Sequence, residues 1–479
     1  MDTCRFPEGQ CLFYPRVIFS PGGAAFQVPW KVAPGLGPGA PGMPMKLFHT
    51  SDLHLGRRRL DGRLPDSDLA AAFEAIAREA IAAGADAFLI AGDCFDRPQV
   101  EPPHLRQAQQ VLTLLKEAGI PVVAIEGNHD KALIHAQDPT WVHYLAEDGL
   151  LILLRTPFDA GGPQLTPWDP ETRTGAYVDL GGVRFVGAGY LGAATPRKVR
   201  EIAACLEPDR THVLLLHAGP DYFVGEGGGF EAGDLEAIHA KVCYLALGHI
   251  HKPMRHGGWA CNPGSPENCD LREAGYGLAQ EDGSTGRGYA VVEVDPADPK
   301  APRSLTLGNN PRRQVLRLAL DCTPFGTKLK DGVAALVKAG AKLILAAAPG
   351  PGAVIDLRLT GRLNLNRIAL DPALAAAELA AATGVAAVSV DASGLNLDAA
   401  AACAAGAEGP TREDLEKGAI LELVQQKHLL GAEGAEGQFA ELFFQLKEAV
   451  RTGRGTDELA EALAQSPLVE RILAARSEA

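Results

Sequence analysis

Five short clusters in this 479-residue chain carry side chains that bind metal ions: Asp52-x-His54, Gly92-Asp93-x-x-Asp96, Gly127-Asn128-His129-Asp130, His217 and Gly248-His249-x-His251. Imidazole, carboxylate and amide oxygen together suit borderline or hard divalent ions such as Mn, Fe or Zn, and no thiolate in the clusters points to structural zinc. Asp52, His54, Asp93, Asn128, His217, His249 and His251 are too many ligands for one ion and fit two. Paired ions sit about 3.5–4 Å apart, so one carboxylate must bridge them. Asp93, on the tight turn after a buried strand, is the expected bridge. Asp52, His54 and His251 then complete one ion, and Asn128, His217 and His249 the other. Alternate residues of an extended segment face the same way, so the x in each D-x-H or H-x-H pair is expected to let both flanking ligands converge.

Two dications at such a centre neutralise phosphate oxygens and supply hydroxide near neutral pH, which implies phosphoester hydrolysis. His129, beside the ligand Asn128, is the expected general acid for the leaving alkoxide, because imidazole titrates near neutral pH. Asp96 and Asp130 are expected behind the ligands, orienting histidines. His49, His104, His135, His143, His212, His239, His256 and His428 follow no such pattern and are assigned to surface or core.

The clusters need elements that bring them together. From Met45, MKLFHTSDLHLG reads as a strand opening into a polar turn, LAAAFEAIAREAIAAGA as a helix, AFLIAGD as a buried strand, HLRQAQQVLTLLKEAG as a helix, and PVVAIEGNHD as a strand. THVLLLHAG and VCYLALGHIH repeat the pattern of an apolar run ending in polar residues. Alternating strands and helices form a layered α/β sheet, and such sheets present ligands at the carboxyl ends of their strands. GRGYAVVEVD and the NPGSPE turn close this domain near residue 310.

Residues 1–44 are rich in Gly and Pro and lack periodicity, which reads as a flexible extension, with Met43 and Met45 as candidate starts. Residues 311–400 hold the strand runs RQVLRLALD, AVIDLRLTG and AAVSVDAS and two helical stretches, a small α+β unit. AAAACAAGAEGP reads as a linker, and from Thr411 the chain turns helical, with an apolar stripe at Phe439, Leu442, Phe443, Leu446 and Val450.

With 45 Lys+Arg against 59 Asp+Glu, the net charge of −14 excludes a protein whose whole surface attracts nucleic acid, so any such contact must be local. Residues 411–479 hold 8 Lys+Arg and 13 Asp+Glu, a net of −5, and make an unlikely DNA-binding arm. Arg57, Arg58 and Arg59 directly follow the first cluster and are the expected phosphate contacts, with Arg97 and Arg197-Lys198-x-Arg200 as further basic sites. Nine cysteines without CxxC spacing read as free thiols in a reducing, cytoplasmic setting. No apolar run approaches the roughly 18 residues of a membrane span.

The clusters resemble the calcineurin-like metallophosphoesterase signature, and HTSDLHLGRR, LIAGDCFDRP, AIEGNHD, LLHAG and LGHIHKP, with the NPGSPE turn, are similar to the Mre11/SbcD branch, including its bacterial YhaO-like members. The resemblance covers Met45 to about residue 310 and the later strands in outline. It implies a four-layer α/β/β/α sandwich with a small α+β capping domain and C-terminal helices. It also implies the seven metal ligands above, His129 as catalytic histidine, and two divalent ions, Mn²⁺ first with Fe²⁺ and Zn²⁺ as alternatives. The activity implied is 3′–5′ exonuclease and single-strand endonuclease in DNA repair. At Asp96 some relatives carry a second histidine, which leaves the balance of the two activities open. Implied partners are DNA, a Rad50/SbcC-type SMC-like ATPase docking on C-terminal helices, and a second copy of the chain. A phosphodiesterase or phosphatase for small nucleotides, and a metal-stabilised scaffold for the ATPase, remain the alternatives.

Overall fold

The runs AFLIA, VVAI and YLALG are apolar at odd and even positions alike, the pattern of strands covered on both faces. In the computed structural model of the protein they lie in two six-stranded sheets. The structure describes residues 43–131, 139–221, 229–324, 329–362, 371–396 and 436–451.

The chain first lays down four parallel strands, β1 (Met45–Thr50), β2 (Ala87–Ala91), β3 (Val122–Ile125) and β4 (Ile152–Leu153). It then builds the second sheet from β5 (Tyr177–Leu180), β6 (Val183–Gly189), β7 (His212–His217), β8 (Tyr244–Gly248), β9 (Met254–His256) and β10 (Ala260–Asn262). It returns to the first sheet with β11 (Gly288–Val294), antiparallel to β1, and β12 (Ser304–Asn309). The strand orders are β12-β11-β1-β2-β3-β4 and β9-β10-β8-β7-β6-β5. In the second sheet β6, β7, β8 and β10 are parallel, with β5 and β9 antiparallel at the edges.

The two-residue period of the strands divides their side chains between two cores. Leu47, Leu89, Val123 and Ile125 of the first sheet meet Phe185, Val213, Leu215 and Ala246 of the second. On the outer face of the first sheet, Phe48, Phe88 and Ala124 pack under helices α1 (Ser67–Ala82), α2 (Pro102–Glu117) and α3 (Trp141–Glu147). On the outer face of the second, Leu214, Leu216 and Leu245 pack under α4 (Thr195–Cys205) and α5 (Ala232–His239). The result is the four-layer α/β/β/α sandwich implied by the sequence.

Beyond it, β13 (Val315–Asp321), β14 (Val354–Arg362) and β15 (Ala387–Asn396) form a three-stranded sheet, joined by helices α6 (Leu329–Ala346) and α7 (Pro372–Thr383). The chain groups into two compact units, Met1–Leu318 with Gly340–Leu357 and Pro372–Asp391, and Ala319–Ala339 with Arg358–Asp371 and Ala392–Ala479. Within the first, Arg313 donates two hydrogen bonds of 2.6 Å to Asp68 on α1, and Arg63 donates to the Val388 carbonyl at 2.9 Å. Helix α8 (Glu436–Arg451) belongs to the second; Phe439 and Phe443 stack on it, and Phe443 is 50% exposed. The Gly/Pro-rich start up to residue 42 and the remaining C-terminal helical runs lie outside the described residues. No described helix is long and apolar enough to cross a membrane.

Candidate metal centre

Parallel strands point their carboxyl ends the same way, and both sheets deliver theirs to one place. Asp52 and His54 follow β1, Asp93 follows β2, and Asn128 and His129 follow β3, while His217 ends β7 and His249 and His251 follow β8. The expected extended geometry of the D-x-H and H-x-H pairs is corrected here. Asp52, His54, Asp93 and His249 have φ of 54°, 45°, 52° and 86°, so they lie past the strand ends in the left-handed region. An extended continuation would carry the side chains along the strand axis; the left-handed turns swing them inward. Such backbone costs about 1–3 kcal/mol per residue and persists where surrounding structure holds it. Here Asp52 N–H donates to Gly92 O at 3.1 Å and His54 N–H to Asp93 O at 3.0 Å, which ties the two loops together. Two glycines have steric reasons: a Cβ on Gly92 would strike the His217 ring, and one on Gly127 would strike the Asp93 carboxylate.

The donors group as two trios around Asp93. His54 Nε2 and His251 Nε2 face each other at 2.9 Å, with Asp52 Oδ1 4.0 Å from His251. His217 Nε2 and His249 Nδ1 converge on Asn128 Oδ1 at 3.2 and 2.9 Å. Asp93 Oδ2 lies 3.6 Å from His54 and 3.3 Å from His217, between the trios. Buried ring nitrogens turned toward one another and toward carboxylate oxygens need a cation between them, so the donor set fits divalent ions. With such ions bound, the centre would supply Lewis-acid charge to a phosphate.

Charges in the cluster respond to one another. Burial favours the acid form of Asp93, but the His217, His54 and His129 imidazoles outweigh it and hold Asp93 below the carboxylate range. Burial likewise opposes a charged His217, yet Asp93 and Asp52 push it up to about 9. His251 is raised to about 11, because Cys269, Glu273 and Asp52 overcome burial. Burial and the neighbouring His217 lower His249 to about 4, and burial lowers His54. Protons thus occupy imidazoles that a cation would claim, so metal uptake releases protons.

His129 donates its backbone N–H to Asp93 Oδ1 at 2.9 Å, and its Nδ1 lies 2.7 Å from the Asp96 carbonyl. That fixes the ring and leaves Nε2 for a substrate. Asp96 Oδ1 lies 3.3 Å from His54 Nδ1, an ion-pair distance without hydrogen-bond alignment, and accepts from Arg57 at 2.9 Å. Asp130 accepts from the backbone N–H groups of Gly127, Phe95 and Cys94, so it pins the loops rather than an imidazole. Burial and the Asp93 charge push it up to about 7.

The basic triplet divides. Arg58 is exposed, and Arg57 is half-buried against Asp96 and the Cys269 carbonyl. Arg59 is corrected: at 4% exposure, with its guanidinium on Asp68 and the Pro65 and Asn268 carbonyls, it cannot reach phosphate. A cleft of about 630 Å³ beside the centre is lined by Arg57, Arg58, Arg272 and His129. Arg97 is exposed beside Asp96, at 3.6 Å. Arg197 pairs with Glu201 and Arg200 with Asp234, while the Lys198 ammonium sits over Phe158 at 4.4 Å.

Among the unpatterned histidines, His49 bonds to Tyr244 at 2.7 Å, and burial lowers it to about 3. His239 stacks on Trp259. His135 and His428 lie outside the described residues, as does the GEGGGF run except Gly229 and Phe230.

Sequence reading missed what stands behind the ligands. Asn262 donates to the Ile250 and Lys252 carbonyls at 2.5 and 2.9 Å and so shapes the turn holding His251. Glu273 bonds to His251 Nδ1 at 2.6 Å. A thiol also lies at the site, contrary to expectation: Cys269 and the His54 and His251 ring nitrogens fall within 4.8 Å of one another. Burial pushes the Cys269 pKa up and keeps it a neutral thiol. NPGSPE was the available signal, but nothing in its spacing ties it to His251.

Comparison with known proteins agrees with this geometry. Residues 45–253 match the family model described as calcineurin-like phosphoesterase. The DNA double-strand break repair protein Mre11 of Archaeoglobus fulgidus is 31% identical over 244 residues, 48% of this chain and 52% of that protein. Mre11 of Aeropyrum pernix is 30% identical over 43% of this chain and 49% of its own length. The SbcD subunit of the nuclease SbcCD of Bacillus subtilis is 28% identical over 48% and 64%. The chain thus spans about half the length of the first two and somewhat more of the third. The solved structure of TT1561 of Thermus thermophilus covers 56% of this chain and all of its own at 15% identity, with a TM-score of 0.31, too low to bear on the fold. Residues 45–253 are therefore a calcineurin-like metallophosphoesterase domain, homologous to those of Mre11 and SbcD proteins.

Proposed function

We propose that the protein is a DNA repair nuclease that hydrolyses phosphodiester bonds with two divalent ions, Mn²⁺ first, as a 3′–5′ exonuclease and single-strand endonuclease. The observation that carries this is the pair of donor trios around Asp93, with His129 held by the same carboxylate. In this reading Asp52, His54 and His251 hold one ion, Asn128, His217 and His249 the other, and Asp93 bridges. His129 Nε2 gives its proton to the leaving oxygen, Arg57 and Arg58 take the flanking phosphates, and Asp96 steadies His54 and His129. The segment 311–400 serves as a cap. The names of the relatives support DNA as substrate and, through the SbcCD nuclease, an SMC-like ATPase of the Rad50/SbcC type as partner, with a homodimer as the further expectation. Free cysteines at Cys94, Cys205, Cys243, Cys261, Cys269 and Cys322 support a reducing, cytoplasmic setting.

A second reading, hydrolysis of small phosphoesters, is favoured by the cleft, whose roughly 630 Å³ is the size of a small-molecule site. Purified protein with Mn²⁺ should cleave end-labelled duplex and single-stranded circles, and His129→Ala should lower that cleavage with metal still bound. Cleavage of an aryl phosphodiester without cleavage of either DNA would establish the second reading and sink the first.

A further inference from the structure

The two trios are backed differently. His217 turns its Nδ1 to a backbone carbonyl, Ala91 O, at 2.8 Å. His251 donates Nδ1–H to a carboxylate, Glu273 Oε1, at 2.6 Å, which leaves Nε2 as the lone pair facing His54. Glu273 is itself fixed. Its Oε2 accepts from Cys269 N–H at 2.9 Å, from Arg287 at 3.2 Å and from the Ser265 hydroxyl at 3.3 Å. Arg287, fully buried, also donates to the Glu273 carbonyl at 2.7 Å. A carboxylate anchored this firmly sets both the tautomer and the ring plane of the imidazole it holds. It also makes the far nitrogen a stronger donor than a carbonyl-backed ring offers.

We propose that Glu273 is the positioning residue for His251 and makes the ion held by Asp52, His54 and His251 the tighter of the two. The proposal rests on reading these residues as metal ligands. Loading is then ordered: the Glu273-backed position fills first, and the Asn128, His217 and His249 position fills and empties as Mn²⁺ varies. The centre would be half-loaded over a range of metal concentration and complete above it.

The test is Mn²⁺ titration of metal-stripped full-length protein, with free and spin-coupled Mn²⁺ followed by electron paramagnetic resonance. Wild type should bind two ions with distinct dissociation constants, the coupled signal appearing only with the second. Glu273→Gln should weaken the tighter site by about 10–100-fold and leave the other within about threefold. Glu273→Asp keeps the charge opposite Arg287 but withdraws it from His251, so it should reproduce the loss and carries the test if the Gln variant fails to fold. Ser265→Ala, which removes a neighbour of Glu273 without touching His251, should bind both ions as wild type does. Unchanged Mn²⁺ binding in both Glu273 variants, or an equal loss in Ser265→Ala, would overturn the positioning role. Failure of the wild type to bind two ions would instead overturn the metal-centre reading beneath it.

Discussion

The strand ends that present the ligands and the turn that backs them are held by opposite means. Asp52, Asp93 and His217 are fixed by ladders and close-packed backbone: β1, β2 and β7 run through apolar cores on both faces, and Gly92 and Gly127 admit the neighbours that pack against them. The segment 262–273 is held by charge. Arg287 and Glu273 sit inside it without water, and Glu267 accepts from the Arg313 and Asn268 N–H groups at 2.9 and 2.7 Å. Packing spreads its energy over many weak contacts, so it fails gradually. A buried ion pair concentrates it, and removing one partner strands the other.

The sharpest way to expose that contrast is Arg287→Met. It should leave the Glu273 carboxylate buried and uncompensated and cost about 3–5 kcal/mol, read as a lower urea midpoint. Leu89→Ala, between the two sheets, removes apolar packing instead and should cost about 2–5 kcal/mol through the lost contacts and the cavity. The comparison separates the two on metal. Leu89→Ala should bind Mn²⁺ as wild type does while folded, whereas Arg287→Met should weaken it, because Glu273 loses the donor that fixes it beside His251. Equal Mn²⁺ affinities in the two variants would erase the distinction between the regions.

Asp68 tests the charged region through pH. Burial opposes its charge, but Arg313 and Arg59 outweigh burial and hold its carboxyl below the ordinary range. Its folded value is therefore below its unfolded value of about 3.9. The stability it contributes is present above that unfolded value and is lost as pH falls through the lower folded one. Asp68→Asn should cost about 1–2 kcal/mol at neutral pH, allowing for partial solvent screening, and its melting temperature should approach that of wild type in acid. A constant gap between the two down to pH 3 would mean that the Asp68 charge contributes nothing.

The same contrast explains what the sequence made legible. Strands announce themselves by runs that are apolar on both phases and stop at a polar residue, and β2 with Gly92-Asp93 shows why that marks a ligand. The polar residue falls where the ladder ends and the backbone must turn. The rest depends on contacts that no local pattern records. Arg59 and Arg58 look alike in the sequence, yet one reaches Asp68 and the Asn268 carbonyl while the other faces solvent. Arg287 meets Glu273 across a turn and a strand junction, and each alone reads as a surface charge. Left-handed φ at Asp52 and His54 was equally hidden, because Asp and His reach that region only when neighbours impose it.

Arg58 and Arg59 therefore supply the smallest and most discriminating prediction. Arg58→Ala removes an exposed charge and should change stability by less than about 0.5 kcal/mol. If its guanidinium neutralises a phosphate, the same variant should weaken DNA binding and flatten the slope of log affinity against log salt by about 0.9 for duplex. Arg59→Ala should do the reverse. It strands Asp68 and frees the Pro65 and Asn268 carbonyls, so it should lower the melting temperature while the salt slope, measured below that temperature, stays at the wild-type value. The two outcomes are separable because stability and salt slope answer to different physics, desolvated pairing in one case and counterion release in the other. A salt slope flattened by Arg59→Ala and untouched by Arg58→Ala would require the buried guanidinium to leave its pocket on binding DNA, and would move phosphate recognition into the turn that holds Glu273.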